Sequence, residues 1–214
     1  MLNFLRLVSL KFGPGNLWKM LIGSFHHPKE ENRIFMFLDL KSSTTIAEKL
    51  GHIKYSRLIQ DCFTDLYIVE QNEAEVYQYL GDEAILSWDV SSGIKDNNCL
   101  EAYFNFTHLL NSKKDYYSTE YGIVPEFKAG MNGGKVTVAE VGVIKKDIAF
   151  HGDTLNTASR IQDKCLELRK NLLISGFLEK KLSWNKKFVR QPIGKIQLRG
   201  KEREIQIFSV EEID

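Results

Sequence analysis

Residues 34–44 read Ile-Phe-Met-Phe-Leu-Asp-Leu-Lys-Ser-Ser-Thr. From Ile34 to Leu40 only Asp39 interrupts the apolar side chains. A run with no polar alternation predicts a central strand covered on both faces. Ser42, Ser43 and Thr44 follow, and hydroxyl side chains favour helix starts. The apolar spacing after them predicts a helix to Leu50, ended by Gly51. A buried strand therefore delivers a carboxylate, Asp39, to the mouth of a helix.

A second carboxylate has a matching place. Glu75–Leu80 and Ala84–Trp88 read as strands around Gly81-Asp82-Glu83, which puts Asp82 at a hairpin tip. A carboxylate ending a buried strand and one at a hairpin tip can meet over one sheet. Paired carboxylates are hard oxygen ligands suited to Mg²⁺ or Mn²⁺. A metal pair can clamp a triphosphate and activate a hydroxyl for in-line attack at phosphorus. The plain readings are a helix cap for Asp39 and a turn residue for Asp82. Glu83 reads as a supporting residue rather than a ligand.

The rest of the chain alternates strands and helices. His52–Val69 has helical spacing, and Asn98–Leu110 carries a second apolar stripe. Phe127–Gly130 and Lys135–Val141 read as two strands around Gly133-Gly134. Ile148–Phe150 reads as a short strand before Gly152. Asp153 reads as the N-cap of a helix running to about Arg169. Leu172–Ile174 resumes a strand, and Ile193–Leu198 with Glu204–Val210 predicts a closing hairpin around Arg199-Gly200-Lys201. These elements predict an α+β fold, a mixed sheet flanked by helices.

The chain has 214 residues, 43% hydrophobic and 27% charged, which suits one large domain with an appended segment. The net charge of +1 gives no reason to expect nucleic acid as a partner. Three cysteines, Cys62, Cys99 and Cys165, lack metal spacing and read as reduced thiols in a cytoplasmic protein. Residues 1–32 read as a helical lead-in and linker, and 33–214 as the main domain. Met1–Phe12 predicts a short amphipathic helix for self-association, with membrane proximity as the second option.

Five segments together resemble the catalytic domain of class III adenylyl and guanylyl cyclases of bacterial type. They are FLDLKSST at 37–44, YQYLGDE at 77–83, FKAGMNGGKVTVAEVG at 127–142, HGDTLNTASRI at 151–161 and IQLRGK at 196–201. The resemblance covers roughly Arg33 to Val210. It implies a ferredoxin-like, palm-like mixed sheet and a nucleotidyl cyclase, a phosphorus–oxygen lyase. Two Mg²⁺ or Mn²⁺ ions would be held by Asp39, Asp82 and the backbone carbonyl of Leu40. Ser42, Ser43 and Thr44 would offer backbone N–H groups to the triphosphate at a helix start. Asn156 would orient the ribose, and Arg160 would stabilise charge on the phosphorus oxygens. Arg199, with Lys201 as its neighbour, would meet the terminal phosphates. The resemblance also implies a head-to-tail homodimer whose sites need both subunits.

The departures fall where the family reads its base. Gln78 occupies the position of the usual lysine, and Ala149 that of its aspartate or threonine companion. Gln78 can donate and accept hydrogen bonds; the Ala149 side chain can do neither. Two readings stay open. The pocket takes a pyrimidine, making cUMP or cCMP for a signal such as anti-phage defence, or it reads adenine through Gln78 and the backbone. A non-catalytic nucleotide-binding or dimerisation module is the alternative from another class. A polymerase or dinucleotide cyclase on a related sheet is a further one, disfavoured by the Asn156–Arg160 helix.

Overall fold

The structure, a computed structural model, describes residues 27–144, 146–184, 186–197 and 204–213. The expected N-terminal helix, Arg199 and Lys201 lie outside the described residues. Strand β1 (Lys29–Leu40) lies near the middle of an eight-stranded mixed sheet. Ile34, Met36, Leu38 and Leu40 pack into the larger core, while Phe35 and Phe37 pack into a second cluster on the other face. This two-sided coverage is what an unbroken apolar run demands. Truncating Met36 or Leu38 to alanine would cost about 2–5 kcal/mol.

Helices α1 (Ser43–Leu50) and α2 (His52–Asp65) follow, and a 3₁₀ turn carries the chain from Leu66 to Asn72. Strands β2 (Glu75–Leu80) and β3 (Glu83–Asp89) form the expected hairpin, with Leu80 opposite Glu83. Helices α3 (Val90–Ile94), α4 (Asn98–Ser112) and α5 (Lys114–Tyr121) come next. Then follow β4 (Phe127–Val141), β5 (Asp147–His151), α6 (Asp153–Leu168), β6 (Leu172–Ser175), α7 (Gly176–Glu179), β7 (Phe188–Ile196) and β8 (Ile205–Glu212). The sheet order is β2-β3-β1-β4-β6-β8-β7, with β5 paired to β4. Among the described strands only β4 and β6 run parallel.

Several local expectations change. The two strands foreseen around Gly133-Gly134 are one strand of 15 residues, with Gly133 opposite Ile34 and Gly134 opposite Arg33. A Cβ on Gly133 would stand 2.7 Å from the Phe177 ring, so the glycine makes room for that ring rather than turning the chain. Lys29–Asn32, expected in a linker, pair with Lys135–Val138. The 52–69 helix gives way to a 3₁₀ turn at Leu66. Gly152, not Asp153, holds the N-cap position of α6; Asp153 is its first helical residue, where its charge suits the helix dipole. Helix α5 carries no strong apolar stripe. Its Tyr116 donates to Asp61 at 2.6 Å and its Tyr117 to Asp65 at 2.8 Å, which fixes it to α2.

The three cysteines are free and buried, and burial pushes each thiol up to about 12. Among the described residues no helix is long and apolar enough to cross a membrane.

Candidate active site

Asp39, the last residue but one of β1, lies between two registered neighbours, Glu83 on β3 and Lys128 on β4. Its Oδ2 meets Lys128 Nζ at 2.7 Å and accepts from Gln162 Nε2 at 2.8 Å. Gln162 lies on α6, two residues past Arg160. The helix reaches this position because Gly130, beneath it on β4, has no side chain. A Cβ there would stand 2.2 Å from the Gln162 backbone nitrogen.

Asp82 occupies the turn next to Glu83, so it lies diagonally across from Asp39. Gly81 takes a positive φ of 64°, which a glycine adopts without strain and which lets the turn close in two residues. Negative charge gathers here. Burial first, then Asp39, Asp163 and Asp82, raise the Glu83 carboxyl to about 7, against the opposing pull of Lys128. Burial and the nearby Asp82 also raise the phenol of Tyr55 on α2, while a hydrogen bond with Ser43 lowers it.

A cavity of about 490 Å³ opens beside Asp39. Its lining includes Leu40, Lys41, Ser42, Ser43 and Thr44, with Lys128, Arg169 and Lys170 supplying further positive charge. Lys41 pairs with Glu126 at 3.0 Å and Lys170 with Glu211 at 2.8 Å. Ser42 sits at the N-cap of α1 in the left-handed region, with no side-chain capping bond, so the serine hydroxyls do not close the helix end. A cavity rich in cations, beside hydroxyl residues and a helix start, suits a polyphosphate.

The remaining expected site residues lie apart from that cavity. Gln78 is exposed on edge strand β2, just after a register shift at Tyr77. Ala149 pairs with Ala139 in the β4–β5 hairpin. Their neighbours meet: Tyr77 and Phe150 stack edge-on at 5.0 Å, and Phe150 N–H donates to the Tyr77 hydroxyl at 3.4 Å. Buried Arg33 steadies this corner. Its guanidinium reaches Glu75 at 2.6 Å, Ser87 at 2.8 Å and Asp89 at 3.2 Å, and lies over the Phe150 ring. Asn156 is exposed on α6, and Arg160 is half-buried one turn on.

The fit to a divalent cation rests on Asp39. A lysine ammonium already meets its carboxylate, and a raised glutamate stands opposite. Both show a site short of positive charge. Among the described residues no three acidic, histidine or cysteine side chains converge on one point. Two carboxylates and a carbonyl would therefore form an open shell, completed by substrate oxygens. Sequence reasoning missed Lys128, Gln162, Tyr55 and Arg169. Lys128 could have been reached from the pairing of FKAG with the Asp39 strand, had the register been known.

The fold is that of solved adenylyl and guanylyl cyclase catalytic domains. The chain belongs to the adenylate and guanylate cyclase catalytic domain family, whose match covers residues 25–212. It is similar to adenylate cyclase 2 of Rhizobium meliloti (strain 1021), with 29% identity over 193 residues. That similarity covers 89% of this chain and 53% of the relative, so the chain spans about half the relative's length. A bacterial light-regulated adenylyl cyclase superposes with a TM-score of 0.81 at 19% identity, covering 98% of this chain and 62% of that one. The guanylate cyclase domain of RhGC from Catenaria anguillulae, solved in complex with GTP, superposes at 0.72 with 20% identity, covering 87% and 100%.

Proposed function

We propose that this chain cyclises a nucleoside triphosphate to its 3′,5′-cyclic monophosphate and releases pyrophosphate, at sites shared by two head-to-tail copies. The 3′-oxygen forms a bond to the α-phosphorus, the bond from that phosphorus to the bridging β-oxygen breaks, and the hydroxyl proton leaves to solvent. One observation carries the shared-site reading. The cavity lined by Asp39 and Ser42–Thr44 is not lined by Gln78, Ala149, Asn156 or Arg160 of the same chain; Asp82 does not line it either, but the β1–β3 register keeps it beside Asp39. Substrate chemistry needs both groups, and a second copy can supply the missing one. Val143 and Ile144, fully exposed at the β4–β5 hairpin tip, favour self-association.

Mg²⁺ or Mn²⁺ held by Asp39, Asp82 and the Leu40 carbonyl would lower the pKa of the 3′-hydroxyl and steady the departing pyrophosphate. The backbone N–H groups of Ser43 and Thr44 hold phosphate oxygens at the start of α1. Lys128 exchanges its Asp39 contact for a phosphate oxygen as substrate enters. Arg199 or Lys201 meets the terminal phosphates. From the other copy, Asn156 fixes the ribose and Arg160 donates to the oxygens that gain charge in the transition state.

Gln78 reads the base edge with its amide, and Ala149 leaves the second contact to backbone or water. This pattern favours pyrimidine triphosphates over the usual adenylyl preference. The reaction serves second-messenger signalling. The test is turnover with ATP, GTP, CTP and UTP at fixed Mn²⁺, repeated with Gln78→Ala. UTP or CTP turned over at least as well as ATP, with the profile altered by Gln78→Ala, is the expected result. A strong ATP preference unchanged in Gln78→Ala removes the base assignment, and no turnover with any of the four removes the cyclase reading.

A further inference from the structure

The hydrogen bond from Gln162 to Asp39 joins two groups with different duties. Helix α6 carries Asn156 and Arg160, which the proposed function assigns to the partner copy's site. The same helix, two residues past Arg160, places Gln162 against Asp39 of its own site. Gln162 is 3% exposed, so its amide has no solvent alternative. Its Nε2 lies 2.8 Å from Asp39 Oδ2, the oxygen that also meets Lys128 at 2.7 Å. Among the described residues no donor meets Oδ1.

We infer that Gln162 is a positioning residue for Asp39: it pins Oδ2, turns Oδ1 toward an incoming cation, and so lets one helix serve both sites of a dimer. The inference rests on the proposed metal role of Asp39. Lys128 cannot do this job alone. Its ammonium is the charge that a divalent cation displaces, whereas a neutral amide has no reason to leave when the cation arrives. A carboxylate held in one orientation loses less freedom on binding a cation than a free one. Gly130 shows how closely the helix must approach: its missing Cβ leaves room for the Gln162 backbone.

Two experiments test this. The first uses Gln162→Met and Gln162→Leu, which keep the bulk and remove the donor. Mn²⁺ affinity is read by electron paramagnetic resonance with a 3′-deoxynucleoside triphosphate, which cannot cyclise. Mn²⁺ binding weakened about 5–10-fold in a folded variant is expected; unchanged affinity in either variant overturns the role. The wild-type protein is the internal control. If Asp39→Ala leaves Mn²⁺ affinity unchanged, the metal assignment of Asp39 fails, and the role of Gln162 falls with it.

The second places Gln162→Met in one chain of a complementing pair, Asp39→Ala with Arg160→Ala. In that mixture the live site takes Asp39 from the Arg160→Ala chain and Arg160 from the Asp39→Ala chain. Gln162→Met in the Arg160→Ala chain is expected to raise the Mn²⁺ needed for half-maximal rate about 5–10-fold. The same change in the Asp39→Ala chain, where Gln162 has no Asp39 to hold, is expected to leave it unchanged. Equal effects from the two placements mean that Gln162 merely supports α6, and the inference is lost. A parental mixture without activity points instead to failure of the shared-site reading, and the resonance measurement then decides the role of Gln162.

Discussion

Glu83 stands directly opposite Asp39 in the β1–β3 register, with Asp82 one residue away at the turn. Three carboxylates thus share one end of the sheet, and Glu83 answers by holding its proton. Its carboxyl is raised to about 7 from an ordinary 4.5, by burial first and by Asp39 next.

That proximity makes the metal-free protein pH-sensitive. Below about pH 4.5 Glu83 is protonated in both folded and unfolded chains and costs nothing. Between about 4.5 and 7 the unfolded chain ionises first, so the folded state loses stability as pH rises. Above about 7 the penalty is constant. Glu83→Gln removes it, so the substitution should raise Tm more at pH 8 than at pH 5 in a chelator. Adding Mn²⁺ should shrink the difference, because a cation favours the ionised form. Thermal melts at the two pH values check this; equal shifts would mean that Glu83 titrates normally.

Asp39→Ala and Asp82→Ala should each abolish turnover while leaving the fold in place. Asp39 is near the surface end of β1, and its loss strands only the Lys128 and Gln162 contacts. Circular dichroism and Mn²⁺-dependent turnover, measured side by side, test this. Near-normal rate in either variant contradicts the metal assignment.

Arg160→Ala should slow turnover by at least about 10²-fold, the scale of losing one charge-stabilising donor. Mixing it with Asp39→Ala should restore activity, since a mixed dimer holds one complete site. Subunit exchange, followed by native mass spectrometry, must accompany the assay. Verified exchange without recovery would argue that each chain builds its own site.

Gly130→Ala should damage stability and activity together. The added methyl collides with the backbone of α6 at Gln162, a contact that cannot yield by rotating a side chain. Overpacking of this kind costs about 1–3 kcal/mol. A variant with an unchanged Tm would show that the helix has more freedom than this packing allows.

Read alone, the sequence determined which residue types could meet and on which elements. The run Ile34–Leu40 could only be a strand covered on both sides, because every position but Asp39 is apolar. Gly81-Asp82 could only turn a hairpin at low cost. Spacing put Asn156 and Arg160 on one helical stripe. Such features depend on residues a few positions apart, so local periodicity carries them. Tertiary structure decided what lies across from what. Pairing of β1 with β3 and β4 set Glu83 and Lys128 on either side of Asp39, and residues 44 and 89 positions away carry no local mark of that register. The glycine pair at 133–134 looked like a turn; Gly133 instead makes room for the ring of Phe177, over forty residues away, and Gly134 for the side chain of Thr154. Gln162 reached Asp39 across 123 residues because Gly130 let a helix come close. Close packing of a helix on a sheet is a property of the surfaces that meet, and neither surface exists until the chain has folded.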